Sequence, residues 1–512
     1  MAETRLYLLT GQTGVEHGDV GNAVCKAAEE ARKEEPNVPT LSWFDIKKGF
    51  EEAGYPSSAV PALWENPSPA KKRGAWIAAY NAILDEIHER SLDIALLSMH
   101  MLWYRGYNFF CPVDFPTVEN GRIKPIGIVT QIDDLYDIWT RIRERKDRPG
   151  SFNIDVDFSL SELGIWRGLE VLMSEKLAEF LHDQRRGFHY VWAVKHPPEM
   201  LWKLVSDPSQ LTVYSAFPIS RTRNCEDAVD AINEFRQKLY DEFIVFDPLT
   251  IDEYPIRAKL VEYWVEHIRN DLKTTCDINS DNLEIDFHPI GKKCTIHHKE
   301  FDIQSGCIRS NKAKIKLGDD CVFTLPEEIS LPKRGEMCFD RSLRWALYPS
   351  SSEFSYKSAV DGENEPVVVP FWEVDEATKQ IVSQIRVRDF QLIERSDAII
   401  AFRPSFQKTK ISDGVTKEIT FAKELIQWML YKLEWAVIWD KEDGEIATSA
   451  AVLGSEASSL YEQIPCYSTV DECIKAFKEI QQRKKDFFRD STDPGKLRDK
   501  LIEWYKARIA IS

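Results

Sequence analysis

Between residues 5 and 208 the chain alternates short apolar runs with stretches whose apolar positions recur at helical spacing. The runs RLYLLTG, TLSWFDI, LDIALLSMH, IGIVTQI and FHYVWAV are strand-sized. A strand buried on both faces reads as a nearly continuous apolar run, and strand–helix alternation predicts a parallel sheet covered on both sides. SDPSQ at 206–210 marks a boundary. A second series follows, with the strand LTVYSAFPIS, the helix EDAVDAINEFRQKLYDEF and the strand FIVFDPL. From about 255 to 380 the alternation breaks, because the helix IRAKLVEYWVEHIRNDL leads into a stretch rich in charge, proline and cysteine with no clear period. It returns at RVRDFQLIERSDAIIAFRP, passes through the helix VTKEITFAKELIQWMLYKL and the strand WAVIWD, and ends in helices near 470–509.

The pattern predicts an α/β protein of two Rossmann-like, three-layer domains with mainly parallel sheets. Residues 1–208 form the first. Residues 209–450 form the second, interrupted by an irregular insertion at about 255–380, and residues 451–512 form a helical tail. A chain of 512 residues with 43% hydrophobic content can fill more than one core. No window reaches the roughly 18–20 apolar residues of a membrane span, and MAETRLYLL lacks the pattern of a secretory signal. A cytoplasmic location without membrane attachment is therefore expected.

The net charge of −17 opposes binding of a nucleic-acid polymer. Ten cysteines without a CxxC pair predict buried, reduced thiols. Cys276, Cys294, His297, His298, Cys307 and Cys321 invite a zinc reading, since Cys294 and His297 have a ligand-like spacing. The partner pair is not crisp, so core cysteines are expected, with no metal and no cofactor.

The stretch LYLLTGQTGVEHGDVGNAV runs from a strand into a glycine-rich turn and a helix. The phosphate-binding pattern GxxxxGK[ST] uses glycines to aim N–H groups at phosphates, a lysine to reach them and a hydroxyl to hold magnesium. Counted from Gly11, with Gly14 inside the loop, Glu16, His17 and Gly18 stand where glycine, lysine and hydroxyl belong. Each replacement removes a group that phosphoryl transfer needs. Residues 1–208 nevertheless resemble a nucleoside monophosphate kinase of the adenylate-kinase type, through this loop, DIALLSMHMLWYRGYNFFCP, the lid-like IGIVTQIDDLYDIWTRIRERKDR and GFHYVWAVKHPPEMLWKLV. The resemblance implies nucleotide binding by Gly11, Gly14, His17, Arg141 and Arg145, with Arg143 and Arg148 as further phosphate candidates. A scaffold with a glycine turn, a nucleotide-binding domain without transfer and an atypical kinase all remain open.

Three later segments reach one sheet edge: VYSAFPIS, RDFQLIERSDAIIAFRP and SDGVTKEITFA. Together they resemble the nucleoside 2-deoxyribosyltransferase family over about 209–253 and 385–445. In that family a tyrosine or small residue follows the first strand, an aspartate precedes a short helix, and a glutamate lies inside a helix after a D-x-G turn. The resemblance implies Tyr214, Asp389 and the nucleophile Glu418 as catalytic, with the family's other acidic position falling at Ser412 and Asp413 beside it. Ser215, Pro218, Ser412 and Gly414 are the expected substrate-lining residues. Ser220, Arg221, Arg223 and Arg403 are candidates for a ligand phosphate.

Carboxylates fit the chemistry, because cleaving an N-glycosidic bond passes through an oxocarbenium-like state that one carboxylate traps while a second acid assists the leaving base. The plainer reading is that Asp413 and Asp389 cap helices and Glu418 complements a helix dipole. The expected function is N-glycosidic cleavage or transfer on a nucleoside or nucleotide. The alternatives are nucleotide sensing without turnover and an atypical kinase. Relatives of the second domain complete their sites across subunits, so a homo-oligomer is expected.

Overall fold

A computed structural model describes residues 4–56, 60, 63, 68–105, 108–146, 158–182, 189–219, 226–251, 254–276, 283–287, 293–304, 307–317, 321–331, 336–339, 346–348, 367–403, 413–428, 433–439, 465–489, 496–497, 499–501 and 503–504. Strands β1 (Arg5–Thr10), β2 (Leu41–Asp45), β3 (Ile94–Ser98), β4 (Pro125–Ile132) and β5 (His189–Ala193) form a parallel sheet in the order β2-β3-β1-β4-β5. Alternation along β1 sends Leu6 and Leu8 into one core and Tyr7 and Leu9 into another. The sheet is therefore buried on both faces, as its continuous apolar runs require.

The helices that matter for the sites of this half are α1 (His17–Glu34), α2 (Ile46–Glu52), α3 (Pro69–Arg90), α4 (Leu135–Lys146), α5 (Leu160–His182) and α6 (Pro198–Ser206). The boundaries follow local chemistry. Ser68 caps α3 through Lys71 N, with proline in the first turn, and Asp45 caps α2 through Lys47 N.

A second parallel sheet contains β6 (Thr212–Ala216), β7 (Ile244–Phe246), β8 (Ala398–Arg403), β9 (Glu434–Trp439) and β10 (Cys466–Tyr467), in the order β10-β9-β8-β6-β7. Taken in chain order its strands lie 2-1-3-4-5, a doubly wound arrangement. Its helices are α7 (Glu226–Glu242), α8 (Tyr254–Cys276), α9 (Phe371–Arg395), α10 (Asp413–Trp428) and α11 (Val470–Phe488). Two Rossmann-like units and a helical C-terminal segment thus make up the fold.

The two sheets share a core. Tyr7, Leu9 and Trp192 of the first pack in one cluster with Tyr214, Phe246 and Ile399 of the second, and α1, α6, α9 and α10 contribute Val24, Leu201, Ile393 and Ile419. Full burial of such a side chain contributes about 1.5–3 kcal/mol, so the halves hold each other.

The described part of the stretch without a clear period contains antiparallel strands. Residues 285–287, 293–296, 299–304, 307–309 and 328–330 form a five-stranded antiparallel sheet. Its own core joins Trp264, Ile268 and Leu272 of α8 to Cys294, Ile296, Ile308 and Ile329. Cys294 is a core residue, and His297 and His298 make the turn between two strands, both at positive φ.

Asp397, at the amino end of β8, closes the second unit from below. Its Oδ2 accepts from Thr212 N and Oγ1 at 2.9 Å and from Lys484 Nζ of α11 at 2.7 Å, while Oδ1 accepts from Trp504 Nε1 at 3.1 Å.

Candidate functional site

In an open parallel sheet a crevice forms at the carboxyl ends of neighbouring strands whose connections leave in opposite directions. β6 connects towards β7 and β8 towards β9, so their shared end is such a place. Tyr214 lies in β6 and is fully buried on the face turned to the shared core. Its hydroxyl donates to Glu418 Oε1 of α10 at 3.0 Å, across 204 positions of sequence.

Asp389 reaches the same place from α9. Its Oδ1 accepts from Arg388 Nε at 3.0 Å and Nη2 at 2.8 Å, and Arg388 Nη1 donates to Ile251 O at 3.1 Å. Phe390 and Phe421 stack with centroids 4.1 Å apart and planes 7° from parallel. That stack fixes α9 against α10 one residue from Asp389 and one turn from Glu418.

Burial raises the pKa of Glu418 above the ordinary glutamate value, and the Asp389 charge raises it further, while the Tyr214 hydroxyl and Arg388 pull it down. Burial likewise raises Asp389 against the opposing pull of Arg388. Tyr214 is raised well above the usual phenol by burial and by both carboxylates, so it stays a donor. Glu418 Oε2 is buried and has no hydrogen-bond partner among the described residues. A buried oxygen of this kind is costly unless something bonds to it.

The structure brings Tyr214, Asp389 and Glu418 together, but Asp389 departs from the family pattern and Glu418 from the helix-dipole reading. Asp389 does not precede a short helix; it lies inside α9, because the apolar spacing runs unbroken from Phe371 to Arg395. Glu418 is a turn deeper into α10 than a first-turn residue, where the helix dipole has faded.

Ser215 points away from Tyr214, as alternation requires, and donates to Phe246 O at 3.3 Å. Pro218 is buried just beyond β6, Arg403 is buried at the carboxyl end of β8, and Gly414 is exposed in the first turn of α10. Ser220, Arg221, Arg223 and Ser412 lie outside the described residues, as does the side chain of Asp413. Arg388 escaped the sequence reading. A basic residue next to a buried acid in a helical period was the available signal.

The glycine turn occupies the matching crevice of the first sheet, between β1 and β4. Gly11 has φ 146, and a Cβ there would lie 2.6 Å from Gln131 O. Glu16, in the left-handed region at φ 55, stands at the N-cap of α1 without a side-chain cap bond. His17 rests against Gln131 Oε1 and lies 3.2 Å from Gly11 O, and burial lowers its pKa, which favours the neutral ring.

The cations at this edge have internal partners. Arg141 donates to Gly14 O at 2.6 Å and pairs with Asp133, and Lys195 pairs with Asp134, with Asp137 at 2.6 Å and with Asp133 at 3.6 Å. Asp133, Asp134 and Asp137 lie close enough to share a metal ion, and the Lys195 ammonium is already among them. The side chains of Arg143 and Arg145, and the whole of Arg148, lie outside the described residues.

No protein-family profile matches the chain, and no curated protein is significantly similar to it. Solved structures do show similarity. One is a sugar kinase from Janibacter sp. HTCC2649 in unliganded form, with 13% identity and a TM-score of 0.24 over 40% of this chain and 97% of that one. Another is shikimate kinase from Bacteroides thetaiotaomicron, with 15% identity and a TM-score of 0.23 over 39% and 97%. Likeness at these scores carries no argument about this chain.

Proposed function

We propose that the chain cleaves or exchanges the N-glycosidic bond of a nucleoside or nucleotide at the β6–β8 crevice. The carrying observation is the Glu418 carboxylate, held by the Tyr214 hydroxyl through Oε1, with a buried Oε2 that has no partner among the described residues and a second acid, Asp389, beside it. Glu418 attacks the anomeric carbon, and the bond to the base breaks with its electron pair leaving on the base nitrogen. Glu418 and Asp389 share one proton, and in the form that has it on Asp389 this acid supplies it to the base while Glu418 is the ionised nucleophile. Water or a second base then attacks the anomeric carbon, gives its proton back to Asp389 and releases Glu418. The test is incubation with a panel of nucleosides, nucleotides and NAD. Base release by the wild type and its loss in Glu418→Gln support the assignment, and equal release by both would refute it.

A second reading concerns the first sheet. The glycine turn at its switch crevice, with Arg141 on the Gly14 carbonyl, favours nucleotide binding there without transfer. Stabilisation by a nucleotide in a thermal-shift assay, unchanged in Glu418→Gln and lost in Arg141→Ala, supports it. Formation of ADP dependent on His17 would instead revive the kinase reading.

A further inference from the structure

Helices α5 and α9 enclose a cavity of about 260 Å³ where the two halves meet. Ile132, Val171, Leu172, Val191 and Ile385 supply its apolar walls, and Gln384, Gln391, Arg167 and Arg388 its polar ones. It is a little smaller than the roughly 300–1,000 Å³ of sites for drug-sized ligands. The mouth is open, since Gly168 is exposed and Leu172 is 44% exposed.

Both guanidinium groups have all three nitrogens engaged. Arg167 donates from Nε and Nη2 to Gln384 Oε1 at 3.0 and 2.8 Å and from Nη1 to Asp133 O at 3.0 Å. Arg388 is spent on Asp389 and Ile251 O, and Glu175, the carboxylate in the wall, pairs with Arg395 at 3.1 Å. Arginines held this way offer flat faces, which stack on planar rings. A charged ligand would have to break an existing pair. A flat, uncharged one would not, and amide groups such as that of Gln391 read the donor–acceptor edge of a heterocycle.

We propose that this cavity binds an uncharged heteroaromatic molecule the size of a free nucleobase. The site is separate from the Glu418 crevice and stands whether or not Glu418 turns over a nucleoside. It shares one wall with that crevice, because Arg388 lines the cavity and also holds Asp389.

Gly168 provides a clean test. A Cβ there meets nothing nearer than Gln384 Nε2 at 3.8 Å, so a side chain can start from this position, and Gly168→Leu adds its bulk at the cavity mouth while replacing a helical glycine. The full chain is titrated calorimetrically with adenine, hypoxanthine, cytosine and uracil. At least one base is expected to bind the wild type, to bind Glu418→Gln equally, and to weaken by about tenfold or more in Gly168→Leu. Gln391→Ala, which leaves the Arg167 and Arg388 bonds intact, is expected to weaken it several-fold, and thermal melting confirms that both variants fold. Binding by none of the four bases overturns the proposal. So does binding that survives Gly168→Leu or that is lost in Glu418→Gln instead, and so does cyclohexanol binding as tightly as the best base.

Discussion

Tyr214→Phe removes one hydroxyl and leaves the ring in the shared core. The bond it breaks is the 3.0 Å donation to Glu418 Oε1. A hydrogen bond to a charged group contributes about 1.5–3 kcal/mol and one between neutral groups about 0.5–1.5. The difference, about 1–1.5 kcal/mol, is what the hydroxyl adds to the ionised form of Glu418 over its protonated form, and it corresponds to about one pH unit. Removing the donor leaves burial and the Asp389 charge less opposed, so the Glu418 titration moves up by about one unit. The assay is carbon-13 NMR of glutamate-labelled protein, with the Glu418 signal assigned by its absence in Glu418→Gln. The ascending limb of base release against pH is expected to move by the same amount. A midpoint that stays put or falls would show that the hydroxyl does not stabilise the carboxylate.

Asp389→Asn acts in the opposite direction. Removing the neighbouring charge lowers the Glu418 midpoint in the same NMR titration, and an upward shift would contradict the arrangement. Glu418→Gln removes a group whose folded pKa is raised. A raised carboxyl contributes stability below its unfolded pKa that is lost as pH rises through the folded value. The urea midpoint of the variant relative to wild type should therefore climb with pH from the ordinary glutamate range upward, and a constant difference would count against burial of the charge. Asp397→Ala takes away the carboxylate paired with the Lys484 ammonium, which is 5% exposed and keeps its donation to Gln210 O at 2.6 Å. Loss of one partner of a buried pair costs about 3–5 kcal/mol, readable as a lower urea midpoint, and a change under 1 kcal/mol would show that the clamp is slack.

The parallel strands were legible because each is a short apolar run too dense to be a solvated element, and the shared end of β6 and β8 followed from chain order. Tyr214, Asp389 and Glu418 were legible as residue types within segments. The antiparallel strands at 285–330 were not, because a sheet with one solvated face alternates charge with core, as KCTIHHKEFDIQ does, and such a run also reads as loop. The helical start at Phe371 was hidden for a related reason, since it follows directly on the strand Val367–Pro370. The neutralisation of Arg141 and Lys195 by three aspartates was invisible because Lys195 is remote in sequence from the loop that it faces.

The Asp397 clamp bears on the order in which this protein can be made. Lys484 and Trp504 follow far downstream in the sequence, yet they fasten the amino ends of β6 and β8, which leave the ribosome before them. The clamp at the amino ends of the second sheet therefore closes only after α11 and Trp504 have been made. A nascent chain halted before Val470 should remain open to protease from Thr212 onward, whereas one carrying α11 and Trp504 should resist.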